Sequence, residues 1–212
     1  TGHLTLYLFH DAMVKPMPER SYTPCLAESY SISPDAKIYE FKLRKGVKFH
    51  NGREVTANDF VFSLSRILNP ETQSPAASLL LPIQGARAYH EGKSSTIPGL
   101  RAPDLYTLKI QLDQPFAPFL SILAMVNAKV VPHEAMSPAF NTRPVGTGPF
   151  HFNSWEQGKE IRLTANEDYY AGRPFLNSLR FRIYPNIEWE KIFDDFEKNL
   201  LDHSIIPSST YD

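Results

Sequence analysis

The chain has 212 residues, 42% of them hydrophobic and 21% charged, with a formal net charge of -1. That balance fits a folded globular protein, excludes wholesale disorder, and lacks the basic excess of a nucleic-acid-binding surface. No apolar run approaches the ~18 residues of a membrane-spanning helix, and the single cysteine, Cys25, excludes an internal disulfide and a cysteine-built metal cluster.

Eighteen prolines against ten glycines favour turns and extended edges over a helical bundle. The chain starts at Thr1 with neither a methionine nor a signal peptide, and is expected to be a processed or excised piece whose export signal is gone.

Leu4 to Val14 is apolar and long enough to predict a helix of about three turns, broken by Lys15-Pro16-Met17-Pro18. Turn formers continue to Pro34 around the short apolar insert Cys25-Leu26-Ala27. In the next stretch Tyr39, Phe41 and Leu43 alternate with Ile38, Glu40 and Lys42, the period of a strand with two unlike faces. Lys45-Gly46 makes a turn, Val47 and Phe49 form a short second strand, and Asn51-Gly52 is a second turn, both of its residues tolerating positive φ. Thr56 stands where an N-cap belongs, with Asp59 three residues on to meet the exposed amides. Phe60, Val61, Leu64, Ile67 and Leu68 then make one apolar helical stripe, closed by Asn69-Pro70.

A helix is predicted from about Ala76 to Leu81, then an apolar-polar stretch to His90 and a loop through Gly99. Leu108, Ile110 and Leu112 alternate with Thr107, Lys109 and Gln111 as a half-buried strand. Pro115 and Pro118 lead into a helix carrying Phe119, Leu120 and Leu123, and Lys129-Val130-Val131-Pro132 reads as an extended crossing between lobes. Phe150–Trp155, Glu160–Ala165 and Leu179–Tyr184 read as three strands. A helix from about Glu188 to Leu201 follows, with Trp189, Ile192, Phe193, Phe196 and Leu200 on its apolar side. The pattern predicts an α+β fold, mostly antiparallel, in two regions.

No chemical motif emerges. His3, His10, His50, His90, His133, His151 and His203 fall at no metal-ligand spacing, and among them His10 and His151 are expected to be partly buried. Gly146-Thr147-Gly148-Pro149 lacks the phosphate-loop spacing, and Pro149 removes an amide from any nest, so it reads as a rigid turn. There is no nucleophile elbow, and Asp194, Asp195 and Glu197 belong to a solvated helix face. Neither an enzyme nor a cofactor is expected.

The words Leu26-Ala27-Glu28-Ser29, Ser33-Pro34-Asp35, Tyr39-Glu40-Phe41-Lys42-Leu43-Arg44, Gly46-Val47-Lys48-Phe49-His50-Asn51-Gly52 and Thr56-Ala57-Asn58-Asp59-Phe60-Val61 follow one another. With Thr107-Leu108 through Pro118-Phe119-Leu120, Pro144-Val145-Gly146-Thr147-Gly148-Pro149-Phe150 and Asn166-Glu167-Asp168-Tyr169-Tyr170, they resemble, in order, the signature of family 5 extracellular solute-binding proteins. These are the dipeptide, oligopeptide and nickel receptors of ABC importers. Tyr30 and Tyr170 stand where the family's words carry tryptophan.

The resemblance implies a periplasmic-binding-protein-like fold (class II, cluster C) and covers the family's N-terminal two-fifths only. Residues 15–132 would be its small second domain, and 1–14 with 133–212 an incomplete first domain. It further implies a periplasmic or lipid-anchored extracellular protein that binds a peptide or similar small solute and meets membrane permease subunits. The same fold also occurs as the sensor of transcriptional regulators, although nothing helix-turn-helix-like appears. Ligand contacts are expected at Ala76, where oligopeptide receptors often carry an aromatic residue, and at Met125, Asn127 and Lys129. The 133–212 region is expected to be the looser part, open to self-association.

Overall fold

The alternating stretch around Tyr39 becomes the centre of an antiparallel sheet in the computed structural model, which describes residues 10–18, 22–137, 140, 142–184 and 189–204. The strands β1 (Val14–Pro16) and β2 (Tyr22–Pro24) pair as a small ribbon. The main sheet takes β3 (Ala27–Ile32), β4 (Ile38–Leu43), β5 (Leu100–Asp104) and β6 (Thr107–Gln111) in the order β3-β4-β6-β5. A separate meander holds β7 (Phe150–Glu156), β8 (Glu160–Ala165) and β9 (Ser178–Arg182). Helices α1 (Ala57–Leu68), α2 (Ala77–Leu80), α3 (Ala86–His90), α4 (Phe119–Leu123) and α5 (Trp189–Glu197), with short 3-10 turns at Pro70–Thr72, Val126–Ala128 and His133–Met136, complete the described elements.

Register puts the apolar faces together. Phe41 pairs with Tyr30 on one side and Leu108 on the other, and Tyr39 pairs with Ile110. Tyr39, Phe41, Leu43, Leu108 and Ile110 are all buried. Glu40, on the opposite face, pairs with Lys109 at 2.8 Å and Lys42 at 3.2 Å, a solvated cross-strand charge ladder. The α1 stripe of Phe60, Leu64, Ile67 and Leu68 is buried in the same core. Each such side chain contributes about 1.5–3 kcal/mol when removed from water.

The start of α1 is fixed by one carboxylate. Asp59, buried, accepts the Thr56 amide at 2.9 Å and the Thr56 hydroxyl at 3.0 Å. Arg53 donates to both of its oxygens, at 2.7 and 3.1 Å, the paired geometry that makes arginine-carboxylate contacts strong. The preceding turn needs only Gly52 in the left-handed region, at φ +87°; Asn51 keeps an ordinary φ and instead accepts the Arg53 amide on its side chain. At the other end the 129–132 crossing is tied to α1, because the Ser63 hydroxyl accepts the Val131 amide at 2.9 Å.

Several predicted elements change. Residues 4–9 of the predicted N-terminal helix lie outside the described residues; His10 to Met13 are not helical and Val14 opens β1. The cause is lateral bonding: the Met13 carbonyl accepts the Cys25 and Ala27 amides and Ala12 accepts Leu26, so these groups are unavailable to a helix. Strand β5 was not legible, because Pro103 interrupts its pattern; it forms an edge, where a missing amide is tolerated.

Helix α5 spans Trp189–Glu197, shorter than predicted, and none of its residues is buried. The meander has a small core of its own, with only Phe150 and Leu163 fully inside. Phe175 is wholly exposed and Leu176 is 58% exposed. Among the described residues, those from His133 onward have far less burial than the main sheet.

Asp59→Ala should destabilise the chain by about 1–3 kcal/mol in urea unfolding, because it removes the acceptor shared by Arg53 and the Thr56 amide. Thr56→Ala should cost only about 1 kcal/mol. A Cβ on Gly99 would meet Gln111 O at 2.6 Å and both Gln84 N and Gln84 O at 2.8 Å. These are backbone atoms that cannot yield, so Gly99→Ala should lower the urea midpoint by an amount equivalent to about 3 kcal/mol.

Candidate functional site

Two places gather side chains away from ordinary core packing. The first lies between the C-terminal half of α1, the short α2 and the segment after α4. Ile67, Ala76, Leu79, Leu80, Ile122, Met125, Asn127 and Ala128 line a crevice of about 10 Å³, room for one water at most. Three of the four residues proposed from the sequence, Ala76, Met125 and Asn127, therefore share one wall. Ala76 is buried at the start of α2, whereas Met125 and Asn127 are exposed. This wall is apolar with one amide, and no charge lines it.

Lys129 is not with them. It is 7% exposed, and its ammonium donates to the His10 carbonyl at 2.5 Å. Burial pulls its pKa down to about 8, against the opposing attraction of Asp11. Asn127 lies inside the short 3-10 turn Val126–Ala128 and Lys129 at its end; three residues per turn set these two side chains about 120° apart, so Asn127 lines the crevice while Lys129 is buried against the His10 carbonyl.

That inward side is the second cluster. Asp11, buried, accepts the Tyr169 hydroxyl on both oxygens at 3.1 and 3.3 Å, and its own amide donates to the Thr147 hydroxyl at 3.0 Å. The Cys25 thiol lies 3.8 Å from an Asp11 oxygen and 3.1 Å from the Tyr170 hydroxyl. Burial raises the Asp11 carboxyl, and burial together with the Asp11 charge raises the Cys25 thiol and both tyrosines. A thiol held protonated is no nucleophile. The cluster is instead a polar weld joining the chain's start, the Cys25 turn and the 166–172 turn. A wider polar cleft of about 220 Å³ opens beside it, lined by Lys15, Pro24, Cys25, Arg44, Tyr170 and Ala171.

The sequence reading missed Asp11, Cys25, Tyr169 and Tyr170 as a group. The one available signal was tyrosine at the position where the resembling word carries tryptophan: the added hydroxyl of Tyr170 is what reaches Cys25. Among the described residues no group of three or more histidine, cysteine or acidic side chains is arranged to hold a metal ion, and no described helix is long and apolar enough to cross a membrane. His10 is buried, as anticipated, and burial lowers its pKa to about 3.

Comparison with known proteins places this geometry. The sequence model described as bacterial extracellular solute-binding proteins, family 5 Middle, matches residues 21–206. Di/tripeptide-binding protein 4 of Pseudomonas aeruginosa is 34% identical over 187 residues, covering 80% of this chain and 34% of that protein. The dipeptide-binding protein of Escherichia coli is 35% identical over 179 residues, covering 77% of this chain and 32% of its own length. The crystal structure of Haemophilus influenzae OppA in complex with the peptide RPPGFSPFR superposes with a TM-score of 0.88 at 26% identity, over 98% of this chain and 42% of that one. This chain thus spans about a third of the curated relatives it matches.

Tyr169→Phe should destabilise the chain by about 1–3 kcal/mol, since it leaves the buried Asp11 oxygens short of a donor. Urea unfolding monitored by tryptophan fluorescence measures it.

Proposed function

Because this chain belongs to the bacterial extracellular solute-binding proteins of family 5, we propose that it is part of the substrate-binding component of an ABC importer. In this reading it offers one wall for a peptide or similar small solute, outside the cytoplasm, and the loaded protein meets permease subunits in the membrane. Residues 15–132 are the family's small second domain, and 1–14 with 133–212 an incomplete first domain. Met13 and Val14, at the boundary, pack into the main core. Catalysis has no part in this reading: burial holds the Cys25 thiol protonated.

The observation that carries the reading is the form of the crevice at Ala76, Met125 and Asn127. It is open, apolar and only about 10 Å³, whereas pockets that enclose a small ligand hold about 300–1,000 Å³. A solute could rest against this wall but could not be enclosed by it. A second surface must supply the rest of the pocket, and with it the charged groups that recognise peptide termini. Binding would then shift an open-closed balance by the extra affinity of the closed form. Lys129, buried against the His10 carbonyl, supports the protein rather than the ligand.

The 212-residue chain should bind di- and tripeptides with a Kd weaker than about 1 mM. In amide-detected NMR, saturating trialanine should shift resonances around Ala76, Met125 and Asn127. Submicromolar binding in calorimetry would contradict a single-wall site. Shifts centred instead on Lys15, Arg44 and Tyr170 would move the solute to the polar cleft.

A further inference from the structure

Val47 and Phe49 do not form the short strand expected there; an isolated bridge between Lys48 and Glu54 closes the turn instead, and His50 stands in that turn, just ahead of the capped start of α1, bonded to the chain almost a hundred residues later. Its amide donates to the Gly146 carbonyl at 2.8 Å. Its Nδ1 receives the Gly146 amide at 3.3 Å, and its Nε2 lies 2.9 Å from the Gly148 carbonyl. These partners fix the proton. A carbonyl only accepts, so Nε2 carries a hydrogen; an amide N–H only donates, so Nδ1 must be bare. The ring is neutral, in one tautomer. The Gly148 carbonyl also accepts the Asn166 side chain at 3.1 Å, and the Pro149 carbonyl accepts the Asn166 amide at 2.8 Å. One turn is thereby gripped from the α1 side by His50 and from the meander side by Asn166.

We propose that His50 is a pH-sensitive latch: its neutral Nε2–H form fastens the Gly146–Pro149 turn, and through it the β7-β8-β9 meander, to the turn that precedes α1, and a proton on Nδ1 releases it. A protonated Nδ1 would point its hydrogen at the Gly146 N–H, replacing an attraction with two opposed donors.

The surroundings reinforce the switch. The His151 ring, on β7, lies 4.3 Å from the His50 ring, centroid to centroid, so a charge on either disfavours a charge on the other. His10, ahead of β1, is the other titratable group whose charge opposes that of His50. On His50's own turn Lys48 is exposed, and Arg53 is engaged by Asp59 at 2.7 Å and by Glu134 at 3.6 Å. Glu134 also accepts the Asn51 side chain at 3.2 Å, so it is spent on those partners. Burial lowers the His50 pKa from 6.5 to about 4, against the opposing pull of the Gly148 carbonyl and with a smaller push down from His151.

The sign follows. A base whose folded pKa is depressed binds its proton more readily in the unfolded chain, so stability is complete above pH 6.5 and falls as the pH drops toward 4. Between pH 7 and pH 4 this one group should raise the unfolding equilibrium constant about 100-fold. His10 adds a similar but separate loss.

The test is urea unfolding of the 212-residue chain at pH 7 and pH 4, with His50→Gln and His50→Ala beside wild type, and amide exchange at Gly146 as a local readout. A glutamine can donate and accept as the neutral ring does, yet cannot take a proton. His50→Gln should remain folded, keep Gly146 protected at both pH values and lose about 100-fold of the wild-type pH response. His50→Ala should lose Gly146 protection at both. NMR titration of the His50 ring in the wild type gives an answer even if a variant fails to fold. A ring that titrates near pH 4 supports the latch; one that titrates near pH 6.5, or a glutamine variant with the full wild-type response, overturns it.

Discussion

The chain's organisation depends on the carboxylate of Asp59. Held by Arg53 through both oxygens and bonded to the Thr56 amide, it sets where α1 begins and how the turn before it lies. The apolar stripe of α1 can then seat on β5 and β6, and the sheet core closes over Phe41, Leu108 and Ile110. The same turn presents His50 to the Gly146–Pro149 segment. A capping interaction worth about 1 kcal/mol in isolation thus positions both the helix that walls the crevice and the junction to the second sheet.

Stability is unevenly distributed as a result. One core runs from Met13 to Val130, while the meander has two fully buried side chains of its own. What holds the two together is largely polar: the bonds of His50 and Asn166 around the Gly146–Pro149 turn, and those of Asp11, Thr147, Tyr169 and Tyr170. Buried polar joints of this kind are strong when every group is satisfied and fail sharply when one partner is lost. Apolar packing lets α1 and the main sheet tolerate small changes, whereas the junction depends on particular protons.

Under the proposed function the crevice would be one wall of a two-walled site. Its lining is rigid because Ile67, Leu80 and Ile122 belong to the core, yet it carries no charge to select a solute. In the proposed function, recognition of termini and side chains would fall to surfaces beyond this wall.

The sequence by itself determined what depends on neighbours along the chain. The alternation of Tyr39, Phe41 and Leu43, the cap at Thr56 and Asp59, and the stripe from Phe60 to Leu68 are local patterns with local causes, and each stands in the structure where the periodicity puts it. The order of the short words likewise identified the family. Tertiary structure alone decided whatever required two distant segments to meet. Lys129 left the proposed site because the turn at Val126–Ala128 sets its side chain apart from that of Asn127, and the predicted N-terminal helix gave way where Met13 bonds to Cys25 and Ala27. Asp11 met Tyr169, and His50 met Gly146, across gaps that no periodicity spans. Burial and proton position are properties of those meetings, so the latch was invisible until the turn and the ring were seen side by side.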